Sequence, residues 1–166
     1  DIDSVLPTGY PSACRADFVG AKTSNAFIKK MCGHSTISEL IALTATQKQH
    51  ADKDRCIAFQ TDVLVVDGTA NETLRPRTLE ESIVHENFGL LRSGALSIGI
   101  AIPEILDNAY QEIYDRIRSD NFKKTDFAMD ILACPEQWCV PSYIAEGLQW
   151  LEKRLSPEPT TVISGD

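Results

Sequence analysis

Asp1-Ile2-Asp3-Ser4-Val5-Leu6 opens the chain, and Pro7-Thr8-Gly9 follows at once. An apolar–polar alternation running into a Pro/Gly turn reads as the end of a β-strand passing into a loop. On a strand the side chains of Asp1 and Asp3 share a face, so both carboxylates can approach one cation. Hard oxygen donors at a strand's C-terminal end are what a magnesium or manganese ion takes. An Asp-x-Asp pair is also what two solvated surface acids look like, and both readings stand at this point.

Outward from this strand, residues 13–20 form a candidate second strand. Thr23-Ser24-Asn25 supplies N-cap chemistry for a short helix carrying Ala26, Phe27, Ile28 and Met31, stopped near Gly33. A second helix runs from about Thr36, with Ile37, Leu40, Ile41 and Thr44 on one face. Residues 55–60 read as a buried strand that 63–66 extend, and residues 68–77 as a polar loop rich in turn formers. Thr78 caps a helix containing Leu79, Ile83 and Val84. Pro103 begins a longer helix through Leu106, Ala109, Ile113 and Ile117. Another helix spans residues 122–132, ended by Pro135, and the last spans Ser142–Leu155. Strands early and helices late give an α/β chain with a helix-rich C-terminal half. Residues 1–156 are expected to form the folded unit and 157–166 a flexible tail.

The composition suits a globular chain: 166 residues, 43% hydrophobic, 24% charged and 7% aromatic. The most apolar stretch, residues 95–102, falls short of the roughly 18 residues that cross a bilayer, so no membrane partner is expected. There is no signal-peptide pattern, and a start at Asp1 without Met points to a fragment. The five cysteines, Cys14, Cys32, Cys56, Cys134 and Cys139, have no zinc-ligand spacing. They read as reduced, largely buried thiols of a cytoplasmic protein. A net charge of −8 argues against a broad non-specific grip on nucleic acid. It leaves room for a carboxylate site that metal ions neutralise.

Two further positions carry chemistry. With Leu79 at 0° and about 100° per residue, Ile83 falls near 40° and Val84 near 140°, so Glu80, near 100°, lies inside the apolar arc and Glu81, near 200°, outside it. A carboxylate on a packed face needs a metal, a cation or hydrogen bonds. The alternative is a first-turn acid favoured by the helix dipole. If the next helix has begun by Phe122, Lys124 sits among Phe127, Ala128, Ile131 and Leu132, whereas Lys123 does not. Its ammonium is then either aimed at an anion or snorkelling to solvent. His34, His50 and His85 read as structural or surface residues. Gly-x-Ser-x-Gly and glycine-rich phosphate loops are absent, so a hydrolase-elbow or P-loop enzyme is unsupported.

Taken in order, these segments resemble the Toprim domain of the overcoming-lysogenization-defect (OLD) nucleases, a family that includes the nuclease subunit of Gabija-type phage defence. The resemblance rests on Asp1-Ile2-Asp3-Ser4, Thr23-Ser24-Asn25, Ile57-Ala58-Phe59-Gln60, Arg77-Thr78-Leu79-Glu80 with Asn87, residues 124–128, Pro141-Ser142-Tyr143-Ile144 and Trp150-Leu151. Thr125 stands where the family often has Gly. The family's upstream Gly-x-x-Glu and its ATPase domain are not in this sequence. The resemblance implies a partial parallel sheet flanked by helices, and metal ligation by Asp1, Asp3 and Glu80. It also implies catalysis by Glu80 and Lys124, and substrate contact at Thr23, Ser24 and Asn25. The implied activity is two-metal DNA endonuclease chemistry with Mg2+ or Mn2+. The implied partners are DNA, the N-terminal ATPase domain, the rest of the Toprim domain and further copies of the chain. Two other readings are a non-catalytic Toprim-shaped interaction or dimerisation module, and a phosphohydrolase acting on small phosphate esters.

Overall fold

Val63-Leu64-Val65-Val66-Asp67-Gly68 folds back on the residues that follow it. Val65 is buried while Leu64 and Val66 are exposed, the alternation of a strand with one face on a core. Gly68 turns the chain at φ +63°, a backbone angle that side chains other than glycine's rarely take. The computed structural model describes residues 1–50, 52, 54–68, 70–134 and 138–156; the expected tail and Pro135 lie outside them. In chain order the elements are β1 (Ser4–Val5), β2 (Lys22–Thr23), α1 (Ala26–Cys32), α2 (Ile37–Ile41), β3 (Val63–Asp67), β4 (Ala70–Leu74), α3 (Leu79–Glu86), α4 (Phe88–Ser93), α5 (Leu106–Arg118), α6 (Lys124–Ala133) and α7 (Ser142–Leu155). The chain is α/β. Its strands make two antiparallel ribbons, β1–β2 and β3–β4, and no parallel pair occurs among the described residues.

Local chemistry explains most boundaries. The Asn25 side chain accepts from the Phe27 and Ile28 amides, and Gly33 ends α1 in the left-handed region. Thr36 and Glu39 close a capping box on α2. Thr78 caps α3 through the Glu81 amide. Five expectations need correction. Residues 68–77 are not simply a loop, because β4 pairs with β3 in register from Val63↔Leu74 to Asp67↔Ala70. Residues 13–20 and 55–60 form no regular strand; they contribute one isolated bridge each, Val5↔Ala13 and Gln49↔Cys56. Ile57, Phe59 and Gln60 are nevertheless buried. The long helix starts at Leu106 rather than Pro103, and α6 at Lys124 rather than Phe122.

Two apolar cores form. The first, around Ile2, Ile28, Leu40 and Phe59, holds the N-terminal third. The second packs β3, β4 and α3 to α6 around Leu74, Val84, Phe88 and Ile113. Helix α7 contributes no fully buried side chain to either. Instead Gly147 lets it approach the first core closely, since a Cβ there would lie 3.2 Å from Ala58 Cβ. Lys48, nearly buried over the Phe59 ring, reaches Glu146 Oε2 at 3.2 Å.

The end of α3 pins the start of α7. Asn87 Nδ2 donates to the carbonyls of Ile83 and Cys139, both at 2.8 Å, and Asn87 Oδ1 accepts from the Cys139 amide at 2.6 Å. Glu86 accepts the Ser142 amide and hydroxyl at 2.7 and 2.5 Å, satisfying an open donor of the first turn of α7. Asn87→Ala should cost about 2 kcal/mol, because a buried side chain and three bonds are lost together. Urea denaturation checks it, and an unchanged midpoint would show that the α3–α7 tie is dispensable.

All five cysteines are free, as expected, but only Cys14 is buried and Cys139 is exposed. Among the described residues no helix is long and apolar enough to cross a membrane.

Candidate active site

Glu80 and Lys124 meet. Lys124 Nζ lies 2.9 Å from Glu80 Oε1, joining the first turn of α3 to the first residue of α6. The pair is lopsided: the Glu80 side chain is 10% exposed and that of Lys124 is 65% exposed. Glu80 Oε2 is buried and has no hydrogen-bond partner among the described residues. Burial by itself pushes the Glu80 carboxyl up. The Lys124 ammonium and hydrogen bonds at the helix N-terminus, including one with Thr78, outweigh it and hold the group below the usual glutamate value. The result is an ionised, mostly buried carboxylate with one oxygen uncommitted, next to a cation that solvent can reach. An apolar groove of about 280 Å³, lined in part by Leu79, Ile83, Phe127 and Trp138, runs beside them.

The N-terminal acids reach the same region through backbone and amide bonds. The Asp3 amide donates to the Arg77 carbonyl at 3.1 Å, which fastens the opening segment just ahead of the α3 cap. Asp3 is the one non-glycine residue with positive φ among the described residues, at +43°. That conformation costs on the order of 1 kcal/mol and persists only where surrounding bonds hold it. Its carboxylate takes no hydrogen bond among the described residues. Gln60, fully buried, accepts the Ile2 amide on Oε1 at 2.9 Å and points Nε2 at Asp1 Oδ1 and, at 3.3 Å, at the Tyr143 hydroxyl. Burial and the charge of Glu80 push the Tyr143 phenol up to about 12, which places Tyr143 within electrostatic reach of Glu80. Asp1, Gln60 and Tyr143 thus form one hydrogen-bonded group, and the Glu80–Lys124 pair acts on Tyr143 through its charge.

Carboxylate oxygens suit a hard divalent cation, and the uncommitted Glu80 Oε2 suits a ligand role better than a purely structural one. Asp1, Asp3 and Glu80 would be the holders, and their ligand atoms are not gathered to within 4.8 Å of one another in this structure, so a shared cation would have to draw them together.

Thr23, Ser24 and Asn25 hold the backbone of the opening segment. Thr23 Oγ1 donates to the Ile2 carbonyl, Ser24 Oγ to the Asp3 carbonyl at 3.0 Å, and Asn25 Nδ2 to the Asp1 carbonyl at 2.9 Å. Three consecutive side chains hold three consecutive carbonyls, so the triplet sets the course of the acid-bearing segment.

Glu81 needs correction. The helical wheel leaves it outside the apolar arc, yet it is fully buried, more so than Glu80. Every residue from Glu80 to His85 is buried, because α3 is covered by the β3–β4 ribbon and by α5. Glu81 accepts the Arg77 amide at 2.9 Å and Arg77 Nε at 3.1 Å. His85 is buried as well, edge-on to Tyr110 at 5.7 Å, and neither ring nitrogen has a partner among the described residues.

Sequence reasoning passed over Gln60 and Tyr143 as members of the site. The available signals were a lone amide ending an apolar run and a tyrosine just inside a helix start. It also passed over His50, Asp52 and Asp54, whose ligand atoms lie within 4.8 Å of one another. There Arg55 already pairs with Asp54 at 3.3 Å and Asp52 at 3.9 Å, so the cluster carries its own cation.

Fold and site together define an α/β chain with an acid–lysine pair at the edge of its second core. No family model, curated protein or solved structure matches the chain.

Proposed function

We propose that the chain is part of a divalent-metal-dependent DNA nuclease of the OLD-family Toprim type. The observation that carries this reading is the contact between Lys124 and Glu80, with the second Glu80 oxygen buried and uncommitted. Two residues some forty positions apart, each picked out by its place on a helix, come together beside the Asp1–Asp3 segment. Supporting it is the order of the motifs along the chain. In this reading β1–β2 and β3–β4 lie at the margin of a larger, partly parallel sheet to which the rest of the parent protein contributes. The ATPase domain of that parent is the regulatory partner, and the protein is cytoplasmic.

Asp1, Asp3 and Glu80 would hold Mg2+ or Mn2+, which when bound supply an activated water and charge neutralisation at the phosphate. The chain's own residues do the rest. Thr23, Ser24, Asn25, Gln60 and the Arg77 carbonyl fix the acid-bearing segment before substrate arrives, so little reorganisation is needed. Lys124, mostly solvent-exposed, can exchange the Glu80 carboxylate for a phosphoryl oxygen and offset charge developing there. The first turn of α3 keeps Glu80 ionised and aimed.

The test supplies the parent's preceding segment and follows plasmid nicking with Mn2+. Glu80→Ala and Lys124→Ala should each slow nicking on the order of 100-fold, the scale for losing one charge-stabilising group. Cleavage that survives both changes together would overturn the assignment.

A second reading, an interaction or dimerisation module, is favoured by one observation. The outer faces of α6 and α7 leave Leu132, Leu148 and Leu155 exposed, at 78%, 59% and 74%. Exposed apolar side chains on two helices would serve such a contact if they lie on one face.

A further inference from the structure

Tyr143 is positioned from both sides. On one side, Glu86 and Asn87 at the end of α3 hold the segment from Cys139 to Ser142. On the other, the Gln60 amide sits fully buried between Tyr143, Asp1 and Ile2.

The direction of these bonds follows from the groups themselves. The Ile2 amide can only donate, so it faces Gln60 Oε1, which leaves the Gln60 NH2 group turned toward Asp1 and Tyr143. A carboxylate accepts, and so must the Tyr143 oxygen, at 3.3 Å from Nε2. A phenol that accepts one bond still has its own proton to give. Among the described residues nothing receives it. Burial and the Glu80 charge keep that proton in place well above neutral pH. Tyr143 therefore holds a spent acceptor and an unspent donor, in a neighbourhood whose other oxygens belong to acids.

We propose that the Tyr143 hydroxyl is a catalytic hydrogen-bond donor to a non-bridging phosphoryl oxygen of the diester that this site cleaves. The proposal rests on the nuclease reading above. In the reaction, the water oxygen forms a bond to phosphorus, the bond to the leaving sugar oxygen breaks, and that oxygen keeps the electron pair. The water proton and the leaving oxygen's proton are exchanged with solvent. Tyr143 transfers no proton; its O–H bond strengthens its hold as charge grows on the phosphoryl oxygen, while Lys124 supplies the neighbouring cation. A second oxygen-directed donor also explains why a tyrosine, rather than phenylalanine, stands beside a buried amide whose other bonds are already made.

Tyr143→Phe keeps the ring and deletes the hydroxyl, and with it both the free donor and the acceptor of the Gln60 bond. In the parent protein, kcat for Mn2+-dependent nicking should fall on the order of 100-fold, with the Mn2+ requirement and KM unchanged. A short duplex with one non-bridging oxygen replaced by sulfur gives a readout that a structural role would not move. One sulfur diastereomer should slow the wild type, and that penalty should shrink in Tyr143→Phe. Wild-type kcat in Tyr143→Phe, a raised Mn2+ requirement with kcat intact, or an undiminished sulfur penalty each overturns the proposal and leaves the nuclease reading standing. Failure of the wild-type parent to cleave with Mn2+ overturns both.

Discussion

Acidification from pH 7 to pH 3 should weaken the fold by about 5 kcal/mol through His85 alone, at 1.36 kcal/mol per unit of pKa difference. Burial lowers the His85 pKa from its ordinary 6.5 to about 3. Between those values the unfolded chain binds a proton that the folded chain refuses. The stability is therefore intact above pH 6.5 and is lost as the pH falls toward 3. The cause is geometric: the ring is wedged against Tyr110, and neither nitrogen finds a partner among the described residues. An imidazolium there would be a buried charge without a counter-ion. His85→Phe retains a ring against Tyr110 and removes both nitrogens. Urea unfolding of the two proteins at pH 7, 5 and 3.5 isolates the effect, because other titrating groups cancel in the difference. The variant should gain on the wild type at each step downward. A constant difference across the range would mean that water or a rearrangement satisfies the ring, and the expectation would be lost.

The two cores and the two sides of the site were unequally legible in the sequence. Capping chemistry is local, so Asn25, Thr36 and Thr78 announce the starts of α1, α2 and α3, and Gly33 the end of α1. Helix α7 is read at its observed limits, Ser142–Leu155, from the same local pattern. The ribbon was missed although Asp67-Gly68 is a strong hairpin signal, because the polar run Asn71-Glu72-Thr73 masks a strand with one wet face. Ile57, Phe59 and Gln60 are buried without being a strand: the Ile57 amide bonds to the Lys48 carbonyl of a neighbouring loop, and apolar content does not encode that partner.

The site shows the same division. Glu80 was selected correctly, but the wheel that selected it excludes Glu81, since a wheel counts a helix's own apolar residues and not the elements that cover it. Lys124 was selected on the assumption of a helix under way at Phe122. In the structure it is the first residue of α6, and it reaches Glu80 from that end rather than from the middle of a face. The cross-chain bonds of Gln60, which span 58 positions to Ile2 and 83 to Tyr143, have no local signature at all.

Glu81 should give the opposite pH signature to His85, and a smaller one. Burial raises its carboxyl from 4.5 to about 7, against the lowering effect of the two bonds from Arg77. Here the folded chain keeps a proton that the unfolded chain has released. The stability is therefore full below pH 4.5 and is lost as the pH rises through 7, by about 3 kcal/mol. Between pH 4.5 and 6.5 the slopes of Glu81 and His85 oppose each other, so the wild-type profile should be nearly flat there. Each group shows itself only outside that window or in a variant. Glu81→Gln retains an acceptor for Arg77 and cannot ionise. Relative to the wild type it should become more stable by about 3 kcal/mol on passing from pH 4.5 to pH 8, whatever fixed offset the lost second acceptor adds. The outcome decides between two physical effects of known sign. If the desolvation of a fully buried carboxylate dominates, the difference grows with pH. If the Arg77 amide and guanidinium, at 2.9 and 3.1 Å, hold the ionised form more strongly than burial opposes it, the difference shrinks with pH, and Glu81 is then a permanent anion clamping the residue whose carbonyl holds Asp3.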